Sequence, residues 1–143
     1  MATKKFEEIV NDFEILDEWE DRYRYIIDLG KNIPELKKHE KTPETKVNGC
    51  ASQVWLLDEI KLINNKKIFF ISGDSDALIV KGLIGILIKM YNNVAVNEAI
   101  KIDAVSQFKR LGLDEHLSAQ RSNGLNSMIN RINNVLKNSE TVL

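Results

Sequence analysis

Residues 54–91 read VWLLDEIKLINNKKIFFISGDSDALIVKGLIGILIKMY, in which two strand-forming parts precede one long apolar run. The apolar runs between residues 54 and 63, and the run at 67–71, are rich in β-branched and aromatic residues, which favour strands. Asn64 and Asn65 between them are a turn signal for a hairpin. Val47 is expected to open the sheet one strand earlier. The pattern therefore predicts an antiparallel meander of three strands.

A helix is predicted directly after this hairpin, over residues 76–91. Asp74 or Ser75 is expected to cap its first turn, because short oxygen-bearing side chains accept hydrogen bonds from the free N–H groups there. Nearly every later position is apolar, so we expect this helix to be central and to cover the sheet. Gly82 inside it costs about 1 kcal/mol relative to Ala, which indicates close packing against the sheet.

Two helices are predicted before the sheet. Between residues 6 and 16, apolar side chains recur at three- and four-residue spacing, which is typical of an amphipathic helix. Asp17 and Glu20 have the spacing of a capping box and predict the start of a second helix. Gly30 and Pro34 end that helix. The polar, charged residues 36–46 are expected to form an exposed loop.

Further helices are predicted towards the end of the chain. Residues 105–111 form a short helix ended by Gly112. Residues 125–136 carry apolar side chains along one face, with Asn and Arg opposite. The order ααβββααα predicts an α+β fold in which an antiparallel three-stranded sheet packs against several helices. We expect residues 1–143 to form a single domain.

The composition argues against several classes of protein. Lys and Arg number 20 against 21 Asp and Glu, so the formal net charge is -1. Nucleic acid is therefore not an expected partner, because phosphate binding needs clustered positive charge. The most apolar stretch, residues 77–88, is interrupted by Lys81 and closed by Lys89, which makes it too short to span a membrane. Acidic residues near the N-terminus do not fit a signal peptide, and we expect a cytoplasmic protein.

Cys50 is the only cysteine of the chain. A single thiol excludes an intrachain disulfide and a multi-thiolate metal site on one chain, and we expect no metal or cofactor of the chain's own. A free thiol suits a reducing compartment. Asn48 and Gly49 favour a tight turn with positive φ, which would place the thiol on a turn between two strands. The alternative is a small buried hydrophobe, the common role of a lone cysteine.

Two reactions are open to a thiol on such a turn. A cysteine hydrolase needs a base beside the nucleophile, but His39 and His116 carry no motif, and His116 is expected to be a surface or packing residue. Sulfur transfer needs only one cysteine on this chain, because its thiolate attacks an activated sulfur that a partner supplies.

Four blocks of the sequence carry a family resemblance. The block at residues 47–56, VNGCASQVWL, resembles the cysteine motif of the SufE family, the sulfur acceptors of iron–sulfur cluster assembly. Residues 19–31 resemble the family's second helix, and residues 73–83 the start of its central helix. Residues 116–125 resemble the block before its last helix. These blocks occur in the same order and extend over nearly the whole chain.

The resemblance implies a fold shared with IscU-type scaffold proteins and a function for Cys50. Cys50 would accept persulfide sulfur from a SufS-type cysteine desulfurase, whose pyridoxal phosphate belongs to that partner, and would stimulate it. The sulfur would pass to the SufBCD scaffold complex. One alternative is a CsdE-like acceptor for a different desulfurase. An iron–sulfur scaffold protein is a second alternative, which a single cysteine disfavours. A homodimer is left open.

Three more residues of the matched blocks are candidates for the site. Asp74 and Asp76 are expected to favour the start of the central helix, and are candidates for shaping the cysteine loop or the partner face. Arg121 is expected to pair with one of those carboxylates, or with a carboxylate of the partner. Cys50 itself is expected to pack inward until a partner docks, because a reactive sulfur needs shielding from stray reductant.

Overall fold

The computed structural model describes residues 2–141, with side chains up to Ser139. Seven helices and three strands follow one another in this part of the chain, with a short 3₁₀ turn at Lys38–Glu40 after the second helix. Their bounds are α1 Lys4–Ile15, α2 Trp19–Lys31, β1 Val54–Ile63, β2 Lys66–Ser75, α3 Leu78–Tyr91, β3 Val94–Ala95, α4 Val96–Ala99, α5 Ala104–Arg110, α6 Leu113–His116 and α7 Ala119–Thr141. The predicted α+β class, with one antiparallel three-stranded sheet and several helices, is confirmed.

The hairpin of β1 and β2 forms most of the sheet. Its register runs from Val54 opposite Ser75 to Ile63 opposite Lys66. Asn64 and Asn65 both have positive φ, of 51° and 65°, which is the backbone of a tight turn whose twist matches the flanking strands. The predicted hairpin and its turn are therefore confirmed.

The third strand lies elsewhere than predicted. The chain before Cys50 makes only a bridge to β1, between Lys46 and Trp55, so the expected strand at Val47 is wrong. The third strand is β3, which pairs with the far edge of β2 after α3. Asn93 turns the chain back there with a φ of 62° and donates its N–H to the carbonyl of Phe69.

Helix α3 lies in the centre of the molecule, between the sheet and α2. Leu83, Ile84, Ile86 and Leu87 are fully buried, and burial of such side chains contributes roughly 1.5–3 kcal/mol each. Gly82 faces α2 and not the sheet, because a Cβ there would lie 2.2 Å from the carbonyl oxygen of Ile26. The predicted close packing is therefore confirmed, but the predicted partner is wrong.

The expected helix caps are replaced by other contacts. The capping box at Asp17 and Glu20 does not form, because α2 begins after Glu18 without a side-chain cap. Arg22 ties α2 to α1 by donating to the carbonyl oxygens of Leu16 (2.7 Å) and Phe13 (3.0 Å). Helix α3 begins at Leu78, two residues later than predicted, because β2 continues to Ser75 and Asp74 turns its carboxylate inward.

We predict that Gly82→Ala lowers the free energy of unfolding, even though Ala favours helices. Its Cβ would collide with the backbone of α2, and overpacking of this kind costs about 1–3 kcal/mol. Gly85→Ala is the matched control, because its Cβ would lie 3.2 Å or more from Leu29 and need only a small adjustment. Urea unfolding measures both variants. A Gly82→Ala protein as stable as the wild type would contradict the close contact of α2 with α3.

Candidate functional site

Cys50 lies on a loop between the bridge at Lys46 and the start of β1. Gly49 has a φ of 87°, so the predicted turn with positive φ is confirmed at that residue. The loop is not flanked by two full strands, because the chain before it has only the Lys46 bridge. The thiol is half-buried and free, so it packs inward only in part.

Helix α7 forms the floor beneath this loop. The Cys50 thiol donates a weak hydrogen bond to the carbonyl oxygen of Gly124, at 3.7 Å from Sγ. A Cβ on Gly124 would lie 3.4 Å from the same sulfur, at van der Waals contact, so the thiol lies close against the backbone of α7 at this residue. One turn further along α7, the hydroxyl oxygen of Ser127 lies 2.7 Å from where a Cβ of Gly49 would be. The loop therefore lies directly on the helix.

A cavity of about 160 Å³ opens beside the thiol. Its apolar lining comes from β1, α3 and α7, and its polar lining comes from the loop and the start of α7: Val54, Val80, Leu83, Leu125 and Met128, with Ser52, Ser118, Gln120 and Arg121. Burial raises the pKa of the Cys50 thiol, because the charged form is disfavoured away from water. The free protein therefore holds this thiol protonated at neutral pH.

Asp76 contacts the end of the cysteine loop. Its carboxylate accepts a hydrogen bond from the N–H of Gln53 (3.0 Å), and its own N–H donates to the carbonyl of Gln53 (3.3 Å). The residue thus joins the loop to the segment that leads into α3. A role for Asp76 in shaping the loop stays a prediction, and these two hydrogen bonds are compatible with it.

Asp74 is buried and serves a different part of the chain. Its carboxylate accepts from the N–H groups of Ser75 (2.8 Å) and Leu36 (3.3 Å), and Lys41 and Lys81 lie 3.4 Å and 3.6 Å away. Burial alone would raise the pKa of this carboxyl, but the hydrogen bonds and the two lysines together lower it. Asp74 therefore fixes the segment that follows α2, and it is not the helix cap predicted from the sequence.

Arg121 lies exposed at the rim of the cavity, in the first turn of α7. The expected ion pair with Asp74 or Asp76 is wrong within residues 2–139, since the lysines Lys41 and Lys81 are the cations beside Asp74.

Arg131 is a residue of this site that the sequence pattern does not reveal. The pattern places it on the polar face of the last helix, but its guanidinium donates to the backbone carbonyls of Lys46 (3.1 Å) and Glu44. These carbonyls belong to the segment that leads into the cysteine loop. Arg131 lies seven residues after Gly124, a spacing that places the two residues on one face of a helix. That spacing is the sequence signal that could have pointed to Arg131.

The histidines do not lie beside the thiol in the described structure. His39 is exposed in the 3₁₀ turn. The ring of His116 stacks on Trp19 at 3.7 Å between centroids, and its carbonyl accepts from the Tyr23 hydroxyl. The predicted packing role of His116 is therefore confirmed. Neither histidine lines the cavity at Cys50.

Among the described residues, no group of three or more His, Cys, Asp or Glu side chains is arranged to hold a metal ion. No helix within residues 2–141 has the length and apolar character needed to cross a bilayer.

Comparisons with known proteins show the family. A family model described as "SufE: Fe-S metabolism associated domain" matches residues 7–136. An uncharacterized SufE-like protein of Rhizobium meliloti (strain 1021) is 49% identical over 126 residues, which cover 88% of this chain and 90% of that protein. An uncharacterized SufE-like protein of Rhizobium etli is 50% identical over 126 residues, covering 88% and 85%.

A solved structure shares the fold. The solution structure of a hypothetical protein from Thermus thermophilus superposes with a TM-score of 0.77 and covers 99% of each chain, at 15% sequence identity. At that identity the likeness concerns the fold alone.

We predict that the alkylation of Cys50 by iodoacetamide has a higher pH midpoint in the native protein than in the urea-unfolded chain. Burial raises the pKa of the native thiol, so the reactive thiolate forms only at higher pH. The midpoint of the pH profile is the quantity to compare, since it separates ionisation from simple access. Equal midpoints, or a lower one in the native protein, would show that the fold stabilises the thiolate instead.

Proposed function

The chain belongs to the SufE family, and we propose from that membership that Cys50 is a sulfur acceptor. The family places the chain in iron–sulfur metabolism. The observation that carries the finer proposal is the position of the thiol, half-buried on a loop at the edge of a cavity with an apolar floor. Such a thiol can reach a partner's sulfur and then be screened from water.

The proposed reaction is a sulfur exchange between two cysteines. The thiolate of Cys50 attacks the terminal sulfur of a persulfide on the partner. The bond between the partner's two sulfurs breaks, and the partner's cysteine leaves as a thiolate. Cys50 then carries the persulfide, with one sulfur gained and no net oxidation or reduction. The same step with a second acceptor passes that sulfur onward.

The raised pKa of Cys50 makes the reaction depend on the partner. A protonated thiol is a poor nucleophile, so the free protein is slow to react with sulfur compounds it meets by chance. In the proposed reaction, docking brings the thiol out of its buried surroundings, which favours the thiolate. After transfer, the apolar lining from Val80, Leu83 and Met128 would shelter the added sulfur from reductants.

The proposed partners follow from this chemistry and from the family. A cysteine desulfurase of the SufS type supplies the sulfur, and its pyridoxal phosphate belongs to that partner. The SufBCD scaffold complex receives it. A reducing compartment, the cytoplasm, suits the free thiol. The exposed Arg121 at the cavity rim is proposed to meet a carboxylate of the desulfurase, while Asp76 holds the exit of the loop.

We predict that Cys50→Ser folds normally and no longer stimulates a SufS-type desulfurase in the presence of cysteine and reductant. Serine is nearly isosteric with cysteine, but its hydroxyl does not accept sulfur. Desulfurase turnover, followed as sulfide release, is the measurement. Ser52→Ala is the matched control, because it alters the same loop and leaves the thiol in place. Full stimulation of the desulfurase by Cys50→Ser would contradict the proposal. A CsdE-type desulfurase assayed in parallel tests the choice of partner.

A further inference from the structure

The segment that leads into the cysteine loop has one edge free of β1. Val47 donates its N–H to the carbonyl of Val54 at 2.8 Å, and Leu56 donates to the carbonyl of Thr45 at 2.8 Å. In an antiparallel strand, the N–H and C=O groups of one residue both point to one edge, and those of the next residue both point to the other edge. Because Thr45 and Val47 bond to β1, the carbonyl of Lys46 faces away from it. Glu44 lies in the turn just before, where the N–H of Lys46 donates to the carbonyl of Thr42 at 3.0 Å.

Arg131 on α7 binds the carbonyls of Glu44 and Lys46. Its Nη1 donates to the carbonyl oxygen of Lys46 at 3.1 Å, and its Nη2 donates to the carbonyl oxygen of Glu44. The planar guanidinium can bond two acceptors at once in a fixed geometry, which the ammonium of a lysine cannot reproduce. One side chain of α7 thus satisfies two carbonyls on alternate residues.

This contact is the last of three along one face of α7. Gly124, Ser127 and Arg131 are spaced by three and four residues, so they share that face. Gly124 contacts Cys50, Ser127 lies beneath Gly49, and Arg131 binds the segment before them. The helix therefore holds the chain on both sides of the turn. Of the three contacts, only that of Arg131 is a pair of charged hydrogen bonds, which are stronger than neutral ones.

The guanidinium is partly withdrawn from water. Its Nε is buried and has no hydrogen-bond partner among the described residues. The positive charge of Arg131 interacts with the carboxylate of Asp58 on β1. Burial raises the pKa of Asp58, and the charge of Arg131 opposes that rise. A side chain held in this way, with its charge beside β1 and its donors on the backbone, is not a freely moving surface arginine.

We infer that Arg131 is a positioning residue for Cys50. By holding the carbonyls of Glu44 and Lys46 against α7, it fixes how deeply the loop places the thiol beside Gly124. The residue touches neither the thiol nor a substrate, and it acts through the backbone. The importance of Arg131 for sulfur transfer rests on the proposed function. Its effect on the position of the Cys50 thiol is independent of that function.

The test is the rate at which a bulky maleimide labels Cys50 in the native full-length protein. Arg131→Met keeps the apolar stem and removes the donors, so labelling becomes faster by about tenfold or more, as expected for losing charged hydrogen bonds. The pH midpoint of labelling falls towards that of the unfolded chain. Arg131→Lys is intermediate, because its ammonium cannot hold both carbonyls in the fork geometry.

Three variants serve as controls. Lys137→Met removes one positive charge from an exposed position of the same helix and should label like the wild type. Glu44→Ala and Lys46→Ala should do the same, because Arg131 binds their backbone carbonyls and not their side chains. Thermal unfolding of every variant shows that labelling was measured on folded protein.

A purely structural role for Arg131 gives a different result. It would lower the unfolding temperature of Arg131→Met while the native labelling rate and its pH midpoint stayed at their wild-type values, and that outcome overturns the inference. Equal acceleration in Lys137→Met overturns it as well. The experiment uses no partner, so a failure of the proposed function, seen as stimulation by Cys50→Ser, is distinguishable from a failure here.

Discussion

The contact of the Cys50 sulfur with the bare backbone of Gly124 determines the character of the site. It requires α7 to pass directly beneath the loop, and α7 is held there by side chains packed into the core, including Met128 and Ile132. Because the helix is anchored in the core, it gives the loop a defined surface on which to rest. The half-buried thiol, its raised pKa and the cavity beside it all follow from that arrangement.

The surroundings of Cys50 are compatible with the proposed role as a sulfur carrier. The described structure brings no histidine to the thiol, and burial raises its pKa and so keeps it protonated. Both properties would hinder a hydrolase, which must activate its own nucleophile. They favour a protein whose sulfur should react only after a partner has docked. Membership of the SufE family supports the same interpretation from an independent direction.

Much of the fold was predictable because its periodic parts are long. The hairpin with its Asn64 and Asn65 turn, the apolar α3 and the amphipathic α7 were all predicted from pattern. The strand β3 was not, because two residues carry no period and their pairing depends on α3 returning the chain to β2. Gly82 marked a close approach, but sequence could not tell which neighbour lay there. The turn at Cys50 was predictable. The seven-residue spacing of Arg131 from Gly124 predicts a shared helix face, but not the contact itself, because its partners are backbone carbonyls that leave no trace in residue identity.

Sulfur transfer through Cys50 is tested most directly by the intact mass of the protein after incubation with a SufS-type desulfurase and cysteine. We expect a gain of about 32 Da, one sulfur, that reductant removes and that requires Cys50, as exchange through a persulfide demands. A wild-type protein that stimulates the desulfurase without gaining this mass, or a Cys50→Ser protein that gains it, would contradict a carrier role for this thiol.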